Sequence, residues 1–167
     1  MMSRAFVKEP DGDLVPEALP ELPQEPVPNY VTPEGFAALK AWRERLQGEL
    51  DGLDPDPEDI VDRSKRAHVA RDLRFVDGRI EHAVVVDPAD QPKDKVAFGA
   101  TVEVAGEDGK KQVWRIVGEN ESDTDKGLVS WVSPLARALI GAAVGDVVTW
   151  KRPAGDLELE VLEITYT

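Results

Sequence analysis

The chain contains no cysteine, which rules out a disulfide framework and any zinc site of cysteine type. Histidine is scarce: His68 and His82 are too few for a permanent transition-metal cage. Aromatic residues make up only 6%, so the core that the 41% apolar content can build is small. No apolar run approaches the roughly 20 residues of a membrane span. The opening MMSRAFVKEPDGD lacks the apolar stretch of a signal peptide. A soluble, cytoplasmic protein without membrane contact is expected. Basic charge is also in deficit. With a net charge of −13 and a pI near 4.6, the whole molecule is unsuited to gripping duplex nucleic acid. Docking onto a basic partner is permitted. G-x-G-x-x-G, P-loop, nucleophile-elbow and H-E-x-x-H motifs are all missing, so no self-sufficient active site is expected.

The 167 residues suffice for one ordinary domain or two small ones. Residues 1–28 are rich in proline and acids and show no sustained period, and they read as a disordered tail. From there, Thr32 is a good N-cap and Pro33 suits the first helical position. Leu39, Leu46 and Leu53 recur every seven residues, with Phe36 and Leu50 in a second row and Trp42 at the flank. Gly52 offers a stop. A second helix carries Val69, Leu73, Val76, Ile80 and Ala83 at spacings of 4, 3, 4 and 3. With so short a connection the two helices must run antiparallel, so residues 29–87 read as a coiled-coil hairpin with arms of roughly 30 Å.

Residues 88–95 read as a linker, and beyond them the period changes from helix to strand. ATVEVAGEDGKKQVWRIV is two alternating runs around Glu107-Asp108-Gly109, and GLVSWV is a further strand. SPLARALIG is a short helix capped by Ser133, with Pro134 at its first position and Leu135, Leu139 and Ile140 as an apolar stripe. A closing hairpin turns at Pro153-Ala154-Gly155. Trp114, Trp131 and Trp150 fall in strands and are expected to pack into the core. The fold class is therefore α+β: a helical hairpin, then a small antiparallel sheet domain over residues 96–167 with one short helix.

The stretch DGLDPDPEDIVD, residues 51–62, holds six acids and two prolines. It is not an EF-hand loop: Asp54, Asp56 and Glu58 alternate suitably, but Asp59 stands where glycine is required. Capping accounts for much of it, with Asp56 as N-cap, Pro57 at the first position and Glu58 and Asp59 in the first turn, where the helix dipole favours acids. The basic residues that follow, Arg63, Lys65, Arg66, Arg71, Arg74 and Arg79, read first as a solvated exterior. Asp59 would pair with Arg63 and Asp62 with Arg66. The same flank is a candidate for facing RNA, through Arg63, Arg66 and Arg71.

The densest signal lies in the last seventy residues. Phe98-Gly99-Ala100-Thr101-Val102, Ile116-Val117-Gly118, the run from Ser133 to Gly141, and Val144-Gly145-Asp146 closely resemble the C-terminal domain of the Gre family of bacterial transcription elongation factors. YVTPEGFAAL and FVDGRI resemble segments of that family's first and second helices. The resemblance covers about residues 29–166. It implies a coiled coil joined to an FKBP-like sheet domain that docks on bacterial RNA polymerase near its secondary channel. Ser133, Pro134, Leu135, Ala136 and Arg137 match the docking motif. The coiled coil would enter the channel as a monomer, its tip helping to hold a second Mg²⁺ at the polymerase's own active centre, near the 3′ end of the nascent RNA. No cofactor would be bound permanently, and the factor would donate ligands rather than act as an enzyme.

Two departures from the family pattern stand out. Asp62 keeps the family's tip aspartate, but Lys65 stands in the place of its glutamate. The hairpin is also shorter by about two turns per arm, very roughly 12 Å. In exchange the tip carries Asp51, Asp54, Asp56, Glu58 and Asp59. Asp54, Asp56, Glu58, Asp59 and Asp62 are thus the candidate ligands for a shared Mg²⁺. The alternative is a secondary-channel inhibitor or modulator that does not stimulate cleavage. A more distant one, an FKBP-like peptide-binding module or prolyl isomerase, needs an aromatic-lined pocket that the tryptophan spacing does not predict.

Overall fold

The computed structural model describes residues 19–167, so the first part of the proposed tail lies outside the described residues. Two helices form the hairpin, α1 over Pro33–Asp51 and α2 over Ile60–Glu81. Thr32 caps α1 as its sequence suggests: its backbone is extended and its hydroxyl oxygen accepts a hydrogen bond from the Gly35 N–H at 3.0 Å. Between the helices, Leu46, Val69, Leu73 and Val76 make a buried seam. Trp42, Leu50, Leu53, Phe75 and Ile80 pack partly buried around it, Trp42 edge-on to Phe75 with ring centroids 6.1 Å apart. Phe36 departs from the expected second row: it is half-buried, with the Lys40 ammonium over its ring.

The start of α2 corrects the reading of the acidic stretch. The N-cap is Asp59, whose carboxylate accepts from the Val61 N–H at 3.2 Å, and not Asp56. Both aspartates obey the local capping rules, so the choice is made by Pro57. Its ring is buried and its carbonyl accepts a 2.7 Å hydrogen bond from Arg63 Nε, which holds it in the connection rather than in the helix. The connection accordingly runs over residues 52–59, longer than expected.

Two short strands that periodicity could not show close the base of the hairpin. β1 (Asn29–Val31) precedes α1 and β2 (Ala83–Val85) follows α2, and they pair in parallel. Ala83, expected to end the helical seam, lies in this second strand. Residues 88–95 include a 3₁₀ turn at Pro88–Asp90 in which Pro88 is buried.

The sheet domain contains β3 (Thr101–Gly106), β4 (Lys111–Val117), β5 (Leu128–Ser130), the short helix α3 (Pro134–Leu139), β6 (Val147–Trp150) and β7 (Leu157–Thr165). Both predicted hairpins form, β3 with β4 and β6 with β7. Gly109, with φ at 78°, supplies the left-handed residue that closes the first turn. The strand order is β5-β4-β3-β7-β6. The sheet is mixed and not wholly antiparallel as expected, because β5 runs parallel to β4 after the crossover at 118–127. Its core is built by Val96, Ala100, Val102, Val104, Ile116, Leu139 and Val161, with α3 laid over one face; Trp114, Trp131 and Trp150 pack half-buried against it, Trp131 from the turn after β5 and not from a strand as expected. No helix among the described residues is long and apolar enough to cross a membrane.

Residues 19–28, the last part of the proposed tail, carry no helix or strand but lie against α2. Glu21 forks onto the Arg74 guanidinium with contacts of 2.7 to 3.2 Å, and Gln24 Nε2 donates to the Phe75 carbonyl at 3.2 Å. The hydrogen bond from Arg74 holds the Glu21 carboxyl below its ordinary pKa, aided by the positive charges of Arg74 and Arg71 against a desolvation penalty. Both side chains are well exposed, so the pair orients this segment more than it stabilises the fold.

Candidate functional site

The hairpin tip is an exposed, acidic loop with a defined backbone. The Asp54 carboxylate accepts from the Asp56 N–H at 3.0 Å, closing a local turn, and Asp59 caps α2. At the end of α1, Asp51 accepts from Gln47 Nε2 at 2.8 Å. Asp56 and Glu58 are exposed, and among the described residues their carboxylates have neither a hydrogen bond nor an ion pair. Asp62 is exposed in the first turn of α2. Beside the acids stand Ile60 and Val61, 58% and 66% exposed, which sequence reasoning passed over. Their only signal was two β-branched residues directly after an acid cap, off the register of the seam.

Among the described residues no three of His, Asp or Glu converge to hold a metal ion. The tip is therefore not a ready-made cage. Its chemistry still fits a shared ion: Mg²⁺ prefers hard oxygen donors, keeps several waters, and commonly takes one or two carboxylates from a protein, the rest coming from substrate or solvent. Asp56, Glu58 and Asp62 are exposed carboxylates with no hydrogen bond or ion pair among the described residues, and Asp56 and Glu58 are the two that stand in the connection itself.

The basic flank is engaged within the chain. Arg63 bonds the Pro57 carbonyl, and Arg66 Nη1 reaches to 3.5 Å from the Leu50 carbonyl at the C-terminal end of α1, where a cation suits the helix dipole. Neither Asp59–Arg63 nor Asp62–Arg66 forms the expected pair, because these guanidiniums turn instead onto backbone carbonyls, Arg63 onto Pro57 in the connection and Arg66 onto Leu50 at the end of α1. Arg71, partly buried, forks onto Asp72 at 2.9 and 3.1 Å.

The short motif in the sheet domain divides in two. Ser133 caps α3, its hydroxyl oxygen accepting from the Ala136 N–H at 3.2 Å. Leu135 and Ala136 point into the core and are buried. Pro134 and Arg137 face outward and, with Ala138, Thr149 and Lys151, line a surface groove of about 320 Å³ between α3 and β6. Ile140, expected in the apolar stripe, is instead 42% exposed, because the helix ends at Leu139 and the chain turns through left-handed Gly141.

Where the hairpin meets the sheet domain, polar groups are buried. Arg79 is 1% exposed: its Nε donates to Asn120 Oδ1 at 2.9 Å, and its Nη1 donates to the Gln24 and Pro26 carbonyls at 2.9 and 3.1 Å. Its Nη2 donates to Asn29 Oδ1, and Asn29 Nδ2 returns a bond to the Arg79 carbonyl. Burial pulls the guanidinium below its ordinary pKa, opposed by Glu119 with a carboxylate oxygen 3.9 Å away. On the α1 side, Glu121 accepts from the Thr32 N–H, the Thr32 hydroxyl and the Gly118 N–H.

Comparison with known proteins identifies the relatives of this chain. The family described as transcription elongation factor GreA/GreB, C-term, matches residues 91–166. A transcription elongation factor GreB from Neisseria meningitidis serogroup B is 39% identical over 156 residues, spanning 83% of this chain and 94% of the relative. A transcription elongation factor GreA from Alkalilimnicola ehrlichii is 44% identical over 107 residues, spanning 63% of this chain and 68% of the relative. Among solved structures, a prokaryotic transcription elongation factor GreA/GreB from Nitrosomonas europaea matches 85% of this chain and all of its own, at 26% identity and a TM-score of 0.41. With relatives at that identity covering most of its length, this chain belongs to the GreA/GreB family of transcription elongation factors.

Proposed function

We propose that this factor docks on bacterial RNA polymerase through the outward face of α3 and enters the secondary channel hairpin-first. There its acidic tip modulates transcript cleavage and elongation. The observation that supports this most is the placement of the acids. They crown the end of a two-helix arm, exposed and largely uncommitted, while the opposite end of that arm is bonded to the sheet domain. The arm is about 28 Å long at 1.5 Å per residue over α1. Asp56 and Glu58 would supply carboxylates to an Mg²⁺ ion shared with the polymerase, with Asp54, Asp59 and Asp62 setting the local field. The ion's contribution is activation of water and charge stabilisation at the scissile phosphate. This chain's own contribution is position and negative charge, and the bond is broken by the polymerase.

A second reading, occupancy of the channel without stimulation, is favoured by one observation. The carboxylates do not converge, and exposed Lys65 stands less than one helical turn beyond Asp62. One assay separates the two: RNA cleavage in stalled, backtracked complexes, comparing wild type with Asp54, Asp56, Glu58 and Asp59 changed together to alanine. Ligand donation predicts stimulated cleavage that falls to the factor-free rate in the variant. Cleavage absent or suppressed with wild type, at unchanged polymerase binding, establishes occupancy.

A further inference from the structure

Asn29, Thr32 and Arg79 are the buried polar or charged residues among those described, and all three lie where the hairpin meets the sheet domain. A buried guanidinium is costly unless each donor is met, and here four hydrogen bonds meet it. They come from two separate parts of the chain: the segment at 24–29, which supplies three acceptors, and the 118–121 loop of the sheet domain, which supplies the fourth. On the other helix, Glu121 reaches from that same loop to the cap of α1. Each helix of the hairpin is thus tied by its own polar contact to one loop of the sheet domain. Two ties on neighbouring helices define an orientation, whereas a single one would leave a pivot.

The glycines around the ties point the same way. A Cβ on Gly35 would lie 2.1 Å from Glu121 Cδ, one on Gly78 would lie 2.6 Å from Gln24 Oε1, and one on Gly118 would lie 2.7 Å from the Tyr30 carbonyl oxygen. All three positions admit approach closer than any side chain allows. An apolar contact would join the modules with less geometric demand, since it has no preferred direction. The forked guanidinium and bridging carboxylate are directional.

We propose that Arg79 and Glu121 are positioning residues: together they fix the angle at which the hairpin leaves the sheet domain, and so where the tip lies when that domain is docked. Neither touches RNA, metal or polymerase. The functional half of this inference rests on the hairpin-first reading above, while its structural half is read on the free protein and stands or falls separately.

The absence of cysteine makes the test clean, because two introduced cysteines are the only labelling sites. Spin labels at Glu49→Cys on α1 and Lys110→Cys on the β3–β4 turn report the distance between modules. The proposal predicts one narrow distance distribution in the otherwise wild-type chain. It predicts marked broadening in Arg79→Met and in Glu121→Ala, with Arg79→Lys intermediate because an ammonium cannot reproduce the fork. Glu121 is only partly buried, so its alanine variant keeps the test decisive if Arg79→Met fails to fold. In backtracked complexes saturated with factor, the effect on cleavage falls roughly tenfold to a hundredfold, the size expected of a displaced group. The affinity for polymerase does not change. A broad distribution in the starting chain, or unaltered distributions in the folded variants, overturns the proposal. So does broadening that leaves the effect at saturation intact.

Discussion

Leu139→Ala is expected to destabilise the sheet domain by about 2–5 kcal/mol, whereas Arg137→Ala, two residues away, leaves its stability within about half a kcal/mol. Leu139, the last residue of α3, is fully buried on its inner face and shares the core with Ile116, Val102 and Val161. Truncation removes its transfer free energy and leaves a cavity that a six-residue helix, anchored by Ser133, cannot collapse to fill. Arg137 stands outside, on the groove with Pro134 and Lys151. Its loss should appear in a different measurement: polymerase affinity falls while the thermal midpoint stays. Differential scanning of the two variants, with a binding assay on each, checks the division. Unchanged polymerase binding in both Pro134→Ala and Arg137→Ala would refute docking through this surface.

The second large effect is expected in the hairpin. Its buried apolar residues in α1 and α2 are few, Leu39, Leu46, Val69, Leu73 and Val76 among the described residues, so each carries a large share of its stability. Leu73→Ala is expected to cost about 2–5 kcal/mol, concentrated in this module. Because the sheet domain has its own core, the variant should unfold in two stages, the hairpin first. Hydrogen exchange would show α1 and α2 amides losing protection while β3, β4 and β7 keep theirs. Such a variant should still compete for polymerase but no longer affect cleavage. A single cooperative transition, with exchange rising evenly in both modules, would show that they unfold as one unit.

The parts of this fold that were legible in the sequence are those whose signals are local. The spacing of Val69, Leu73, Val76 and Ile80 needs no partner to be recognised as a seam, and Glu107-Asp108-Gly109 announces its own turn. The cap of α2 shows where local rules stop. Asp56 and Asp59 are both acceptable caps, and the choice depends on Pro57 being buried and bonded to Arg63. The parallel placement of β5 was equally hidden, since a three-residue strand carries no mark of direction. Arg79 was counted among exterior charges because the seam periodicity describes only contacts between the helices. At the base of α2 another face is covered by the 118–121 loop and the segment at 24–29. The run from Ser133 to Arg137 was recognisable as a unit, but only the structure separates its core half, Leu135 and Ala136, from its outward half, Pro134 and Arg137.

The central claim is that the acidic tip of this hairpin lies at the polymerase active centre when the sheet domain is docked. It is tested most directly by an iron chelate tethered to Glu58→Cys, the sole cysteine of the chain, generating hydroxyl radicals in the assembled complex. Radicals act close to their source, so the cuts report where the tip sits. The account predicts cuts confined to polymerase segments and RNA surrounding the catalytic Mg²⁺, lost when Arg137→Ala is added. Cuts limited to the outer rim of the channel or to the polymerase exterior would contradict it.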